Sequence, residues 1–181
     1  KTWEEADAIL DKKTRKQLLG SEVLPTTADE KKYTEAGYDF SKWLKAGSPL
    51  GQWDWKGIWM FRGKGFMACE VEVFDEMISQ PTTLGLGIQD SFNEIYINGQ
   101  LVSEGIVEGT RKISIPAHSW KKGKNQLVVK FGNMVQFPWY GLGVNGSPDD
   151  LYVSTKDTKV SLASGWYLMP SFAEPHTYNH S

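Results

Sequence analysis

The sequence predicts an all-β protein, an antiparallel β-sandwich preceded by an N-terminal helix. Three observations lead to this fold class. Apolar and polar residues alternate in eight short segments, at residues 58–60, 69–73, 84–88, 95–97, 113–115, 127–131, 151–153 and 160–162. Gly, Pro, Asn and Asp separate these segments, as is typical of strands joined by turns. No helical pattern of ten or more residues interrupts them, which excludes a doubly wound parallel sheet because that fold needs a crossover helix between successive strands.

The first 37 residues are predicted to form a helix and a connecting segment. Thr2 and Glu5 have the spacing of a capping box, and apolar residues recur on one helical face over residues 3–10. Gly20 is a natural end for this helix. Pro and Gly lie among polar residues over residues 21–50, so this stretch is predicted to be an irregular connection to the first strand.

Turn-forming residues mark the ends of several predicted strands. Asn98-Gly99 lies between two apolar runs and predicts a type I′ hairpin, which requires positive φ at both central residues. Pro116 is expected to end a strand, and residues 121–125 are expected to form a polar, Gly-centred turn. The sandwich is therefore predicted to span residues 38–167, with residues 168–181 forming a linker toward a missing domain.

Composition limits the functions that this chain can have. The 181 residues include 20 basic and 22 acidic side chains, so the net charge of −2 offers no attraction toward nucleic acid or an anionic membrane. No apolar run approaches the roughly 20 residues that span a bilayer. Cys69 is the one cysteine, and alternation places it on an apolar face, so a buried and unreactive thiol is expected rather than a disulfide.

No constellation in the sequence indicates catalysis within this chain. A serine hydrolase needs a nucleophile on a tight turn, a histidine and a carboxylate that orients it. The sequence contains no G-x-S-x-G motif, and His118, His176 and His180 each lack an aspartate three residues earlier. No catalytic residue is therefore predicted.

The carboxylates and potential metal ligands in the sequence likewise do not indicate a catalytic or metal site. Glu70 and Glu72 alternate with Cys69, so they are predicted to lie on the solvated face of a sheet rather than to act as an acid–base pair. Zinc is excluded because there are no cysteine pairs or close histidine pairs. Oxygen ligands near loops would suffice for a structural calcium, although Asp and Asn there are more often turn formers, so no cofactor is predicted. These calcium candidates are Asp90, Asn93, Asp149 and Asp150.

Aromatic residues give the strongest indication of a ligand. Eight tryptophans are present, and aromatic rings can stack on the apolar faces of sugars while polar side chains bind the hydroxyl groups. Packing in the core or against another domain is the competing interpretation for any single tryptophan. The candidate carbohydrate-binding residues are Trp53, Trp55, Arg62, Asp90, Arg111, Trp139 and Tyr140.

Ordered motifs along the chain resemble those of a known family. They are Trp59-x-x-Arg62, Leu84-Gly85-Leu86-Gly87-Ile88-Gln89-Asp90, Tyr96-Ile97-Asn98-Gly99, Arg111-x-x-x-Ile115-Pro116 and Lys122-Gly123-Lys124-Asn125-x-Leu127-x-Val129-Lys130. This order is similar to the galactose-binding-like jelly roll of sugar-active hydrolases. With residues 160–167, it resembles the jelly roll inserted in sialate O-acetylesterases.

The resemblance implies a function for the whole protein. It implies a parent of the SGNH hydrolase type that removes O-acetyl groups from sialic acids or related sugars and is periplasmic or secreted. Its catalytic domain, on the same polypeptide, would be the partner of this chain, which would be a non-catalytic lid or carbohydrate-facing accessory. Two alternatives stay open: a sugar-binding domain of a β-galactosidase or β-glucuronidase-like glycoside hydrolase, and a free-standing carbohydrate-binding module.

Overall fold

A computed structural model describes residues 27–45, 63–88, 91–107, 110–133 and 147–173. One short helix, α1 (Thr27–Tyr33), precedes the strands, and 3-10 turns lie at Asp75–Met77 and Pro148–Asp150. The strands are β1 (Leu44–Lys45), β2 (Gly63–Glu72), β3 (Thr82–Ile88), β4 (Ser91–Ile97), β5 (Gln100–Val107), β6 (Thr110–Ile115), β7 (Lys124–Asn133), β8 (Leu151–Ser154), β9 (Lys159–Ser161) and β10 (Tyr167–Ala173). No helix among the described residues is long and apolar enough to cross a membrane.

The strands form two antiparallel sheets, which confirms the predicted all-β sandwich. The large sheet has six strands in the order β1-β10-β2-β7-β4-β5, and the small sheet has four in the order β6-β3-β8-β9. Alternate residues of both sheets form the core between them, as period-two patterning requires. Representative members are Met67, Leu84, Ile95, Leu127 and Val153, each no more than 1% exposed.

A second apolar cluster covers the other face of the large sheet. Phe66 and Val128 alternate with core residues and therefore point away from the small sheet, yet both are buried. Residues 34–43, which we call the strap, follow α1 and cover this outer face. Phe40 and Trp43 of the strap pack there together with Tyr33 of α1. The rings of Tyr33 and Phe66 meet edge to face at 5.1 Å, a favourable aromatic geometry.

Turn chemistry and alternation are confirmed where the structure describes them. Asn98 and Gly99 have φ of 49° and 81°, as a type I′ hairpin requires, and they join β4 to β5. β6 ends at Ile115, immediately before Pro116, and Gly123 has φ of 85° in the turn before β7. Cys69 is buried, and Glu70 on the opposite face is exposed.

The ends of the sandwich differ from the predicted boundaries. Residues 168–173, expected to be a linker, continue β10, which pairs with both β1 and β2. Pro170 obscured this strand because proline cannot donate a ladder hydrogen bond; a register shift between Pro170 and Phe172 accommodates it. Within the predicted irregular connection, α1 is too short for its period to recur in the sequence. The predicted helix at residues 1–20 and the strand at 58–60 lie outside the described residues.

Candidate ligand-binding cleft

A cleft of about 620 Å³ opens at one end of the large sheet, on its outer face. One wall is the strap from Ala36 to Ser41, and the opposite side is formed by the turn that joins β6 to β7 together with the tip of the β4–β5 hairpin. Glu70 of β2, Gly165 and Tyr167 of β10 also line the cleft. This volume lies within the range of small-molecule sites in proteins, roughly 300 to 1,000 Å³.

Asn125 fixes the β6–β7 turn that forms one side of the cleft. Its side chain is 1% exposed and donates to the carbonyl oxygens of Val71 and Lys121, at 3.1 and 2.9 Å. Its Oδ1 accepts from the backbone N–H of Lys121 and from Asn98 Nδ2, both at 2.8 Å. Because a buried amide is stable only when its donors and acceptor are all satisfied, this one residue determines the conformation of the turn.

Gln126, the next residue, connects the sandwich to the strap. Its backbone N–H donates to Asn98 Oδ1 at 2.9 Å. Its side-chain Oε1 accepts from the backbone N–H of Gly37 at 2.9 Å, and its Nε2 donates to the Glu35 carbonyl oxygen at 3.2 Å. Three amide side chains therefore run in sequence from the β6–β7 turn through the hairpin to the strap.

Gly99 allows the strap to approach the hairpin closely. A Cβ added at Gly99 would lie 2.8 Å from the backbone nitrogen of Ala36, and the φ of Gly99 is +81°. Both the close backbone contact and the left-handed conformation require glycine. The Asn-Gly pair therefore has two roles, one in the hairpin and one in forming the cleft.

Aromatic and charged groups give the cleft its chemical character. The rings of Tyr38 and Tyr167, both half-buried, are part of the lining. Hydrogen bonds from the side chain and backbone of Ser41 lower the pKa of the Asp39 carboxyl, a group that is ionised at neutral pH. Rings with adjacent carboxylates and amides can stack on a sugar and bind its hydroxyl groups.

Two further charges face each other across neighbouring strands. Lys124 Nζ lies 3.6 Å from Glu70 Oε2, and both side chains are more than half exposed. An exposed pair of this kind contributes little to stability. Its significance here is that it places one positive and one negative group in the lining of the cleft.

Cys69 and His118 are not among the described residues that line this cleft. Burial raises the pKa of the Cys69 thiol above its usual range, and the nearby charge of Glu70 acts in the same direction. The thiol is therefore unreactive, as the sequence predicted. His118 is exposed on a turn, with φ of +65°, and its backbone N–H donates to the Ile78 carbonyl oxygen.

Of the predicted sugar-binding residues, the structure describes one, Arg111. Its Nη2 donates to Ser103 Oγ at 2.8 Å, which links β6 of the small sheet to β5 of the large sheet. Its Nε is buried without a hydrogen-bond partner among the described residues, and burial lowers the pKa of the guanidinium. Arg111 does not line the cleft. The other six candidates lie outside the described residues, namely Trp53, Trp55, Arg62, Asp90, Trp139 and Tyr140.

The calcium candidates are dispersed in the part of the chain that is described. Asn93 is buried in the large sheet, whereas Asp149 and Asp150 lie beside the small sheet, where Ser147 Oγ donates to Asp150 Oδ2 at 2.9 Å. Asp90 lies outside the described residues. No group of three or more His, Cys, Asp or Glu side chains gathers into a metal site among the residues that are described.

Sequence reasoning missed the cleft itself. It interpreted residues 121–125 and Asn98-Gly99 as turns only, and it treated Tyr38 and Asp39 as parts of an irregular connection. The sequence feature that could have indicated the cleft was the group of amide side chains at Asn98, Asn125 and Gln126, because these are more amide side chains than the two turns require. The docking of the strap had no local signal, since Gln126 and Gly37 are 89 positions apart.

Comparison with known proteins gives distant similarities. No family model and no curated protein matches this sequence. Among solved structures, a β-glucuronidase of Bifidobacterium dentium matches 56% of this chain at 16% identity, with a TM-score of 0.45. An α-L-rhamnosidase of Streptomyces avermitilis matches 76% at 16% identity, with a TM-score of 0.40. A surface layer associated cysteine protease of Clostridium difficile with lectin-like domains matches 62% at 12% identity, with a TM-score of 0.30.

This chain spans a small part of those proteins, 17%, 13% and 33% of their respective lengths. Likenesses of this degree do not identify the function of the chain. What the structure itself establishes is a two-sheet antiparallel sandwich with a strap across one outer face.

Proposed function

We propose that this chain is a non-catalytic β-sandwich domain that binds carbohydrate in the cleft between the strap and the β6–β7 turn. The observation that supports this most strongly is the lining of the cleft. Half-buried rings of Tyr38 and Tyr167 lie there beside the carboxylates of Asp39 and Glu70 and the amide of Asn98. The hydrogen bonds of Asn125 hold this side of the cleft in place before any ligand arrives, which reduces the entropy lost on binding.

Titration of the chain with glycans tests the proposal. Trp43 lies next to the cleft residue Tyr38, with ring centroids 5.8 Å apart, so tryptophan fluorescence and amide chemical shifts are suitable measurements. We expect a dissociation constant of about 1 mM, corresponding to roughly −4 kcal/mol. The glycans are sialic acid, its O-acetylated form, galactose and xylan fragments. The absence of any response at millimolar concentrations would rule out the proposal.

A matched pair of variants locates the binding. Glu70→Gln alters a carboxylate that lines the cleft, whereas Glu72→Gln alters an exposed carboxylate on the same face of β2 that does not line it. We expect weaker sugar binding for Glu70→Gln and unchanged binding for Glu72→Gln. Equal affinities for both variants and the unaltered chain would place the sugar elsewhere.

The resemblance to sialate O-acetylesterases supports an ester hydrolase as the parent, with its catalytic residues on an SGNH-type domain. A glycoside hydrolase parent is the alternative. The sequences encoded on either side of this chain distinguish them, since a serine motif upstream favours the esterase and a barrel sequence downstream favours the glycosidase. In either case we expect no turnover of a chromogenic acetate by this chain alone. Turnover abolished by changing one Ser and one His within it would contradict that expectation.

A further inference from the structure

The charged side chains that line the cleft are balanced in number and arranged by sign. Among the described lining residues they are two carboxylates, Asp39 and Glu70, and two lysines, Lys121 and Lys124. Lys121 belongs to the β6–β7 turn and Lys124 begins β7, whereas the carboxylates come from the strap and from β2. The described part of the cleft therefore has no net charge.

Two of these charges already satisfy each other. Lys124 Nζ lies 3.6 Å from Glu70 Oε2, so an anionic ligand would have to compete with Glu70 for that ammonium group. Asp39, which is ionised at neutral pH, accepts a hydrogen bond from the Ser41 backbone N–H and forms part of the strap wall. A ligand carboxylate in the cleft would be attracted by Lys121 and repelled by Asp39, while the Lys124–Glu70 pair has no net charge. The described lining therefore gives an anion no net attraction to offset the water that it loses on binding.

The electrostatic interactions differ for a neutral sugar, which carries no charge for the carboxylates to repel. Each hydroxyl group can donate to a carboxylate and accept from an ammonium or amide group, so the same side chains act as partners without repulsion. Such hydrogen bonds to charged groups are stronger than those between neutral groups. The half-buried rings of Tyr38 and Tyr167 offer apolar surface to the carbon-bound hydrogens of the sugar.

From this arrangement we propose that the cleft takes a neutral hexose or hexose-containing glycan and discriminates against the corresponding sugar acid. This inference rests on the proposed function, since it names the class of ligand for the same cleft. It also means that the ligand of this domain differs from the sialic acid substrate that the family resemblance implies for the parent. The domain would hold a neutral unit of the glycan, and the carboxylate of an acidic unit would lie outside the cleft.

Matched sugar pairs test the inference on the whole chain. The probes are the methyl glycosides of glucose, galactose and mannose, each compared with its 6-carboxylate, measured by chemical-shift titration at neutral pH and low ionic strength. We expect the neutral member of the pair that binds to have an affinity at least about fivefold higher, equivalent to roughly 1 kcal/mol. This ratio should shrink at high salt because the charges are exposed and screened.

Charge variants sharpen the test. The double variant Asp39→Asn with Glu70→Gln should abolish the preference or shift it toward the acid, because it leaves the two lysines of the described lining without a carboxylate to balance them. Glu72→Gln should leave the preference unchanged, since that carboxylate does not line the cleft. Lys121→Met is a second variant at an exposed position, and it should weaken binding of the acid more than binding of the neutral sugar.

The two proposals fail in different ways. If an acid binds as tightly as its neutral partner, or more tightly, and Glu70→Gln weakens that binding, the neutral-sugar inference is wrong and the carbohydrate-binding proposal stands. If no sugar of any pair binds, both are overturned. If the expected preference appears but the double variant retains it in full, the charges of the cleft do not cause it, and the inference is again overturned.

Discussion

The outer faces of the two sheets are covered in different ways. On the large sheet the strap lies across the strands, buries Phe66 and Val128, and leaves a cleft along its edge. On the small sheet, the cover that the described residues provide comes from single side chains: Tyr152 lies over Gly85, and Lys159 Nζ lies 4.3 Å from the centre of the Tyr152 ring. A segment that comes from elsewhere in the chain can form a wall, whereas side chains of the sheet itself only fill its surface.

Replacing Asn125 should produce the largest difference between the two faces. Asn125→Ala leaves the carbonyl oxygens of Val71 and Lys121 and the amide of Asn98 without their buried partner. We expect a loss of about 3 kcal/mol in the free energy of unfolding, measured by urea denaturation. Hydrogen exchange should rise in the strap and β6–β7 turn more than in β8 and β9.

A control for this variant is Gln80→Ala. The Gln80 side chain also donates to a backbone carbonyl, that of Glu76, but it is exposed. We expect its effect to stay within about 0.5 kcal/mol. If the two variants had equal effects, or if exchange rose equally on both outer faces, Asn125 would not be specific to the cleft.

A glycine lies beneath the cover on each outer face: Gly85 beneath Tyr152 on the small sheet, and Gly99 beside Ala36 of the strap on the large sheet. A Cβ at Gly85 would lie 2.6 Å from Cε1 of Tyr152 and 2.8 Å from the Asp150 carbonyl oxygen, and one at Gly99 would lie 2.8 Å from the Ala36 nitrogen. We expect Gly85→Ala and Gly99→Ala each to destabilise the fold by about 2 kcal/mol. Gly99→Ala alone should also loosen the strap, measured as faster proteolysis within residues 34–43.

Gly37→Ala separates conformational strain from contact at Gly99. Gly37 has φ of +80°, nearly the value of Gly99, but no atom lies within 4 Å of an added Cβ. The loss of stability in Gly37→Ala should therefore come from the left-handed conformation alone, about 1 kcal/mol. If Gly37→Ala and Gly99→Ala proved equally destabilising, the close approach of Ala36 would contribute nothing.

Gln126→Ala should have a smaller and more local effect. It removes the hydrogen bonds to Gly37 and Glu35, which are both exposed, so we expect a loss of about 1 kcal/mol. The aromatic cluster should keep Trp43 buried while exchange at the Gly37 amide rises. Gln100→Ala, an exposed glutamine at the start of β5, is the matched control. An unchanged Gly37 amide in Gln126→Ala would show that Gln126 does not anchor the strap.

These comparisons indicate which parts of the molecule the sequence could predict. Hairpin chemistry at Asn98-Gly99 and alternation around Cys69 depend on neighbours in the chain, so their structure was predictable from local rules. The strap and the cleft depend on contacts such as Gln126 to Gly37, separated by 89 positions, which no local pattern encodes. The role of Arg111 as a sugar ligand, predicted from residue type, stays a prediction, and its hydrogen bond to Ser103 of the other sheet had no local signal.

The smallest expected effect concerns Tyr96, on the outer face of the large sheet beside the strap. Burial, with a short hydrogen bond to Glu94, raises the pKa of the Tyr96 hydroxyl to about 12. The folded protein therefore retains this proton at pH values where the unfolded chain, with a pKa of about 10, loses it. Its contribution to stability is fully present below pH 10 and is lost as the pH rises from about 10 to about 12.

Tyr96→Phe should therefore show a flatter dependence of stability on pH between about 10 and 12, measured by urea unfolding at each pH. Because the side chain of Tyr96 is only half-buried, the difference in slope is expected to be modest. Identical slopes for Tyr96→Phe and the unaltered protein would show that the strap side of the large sheet does not shield the hydroxyl from water.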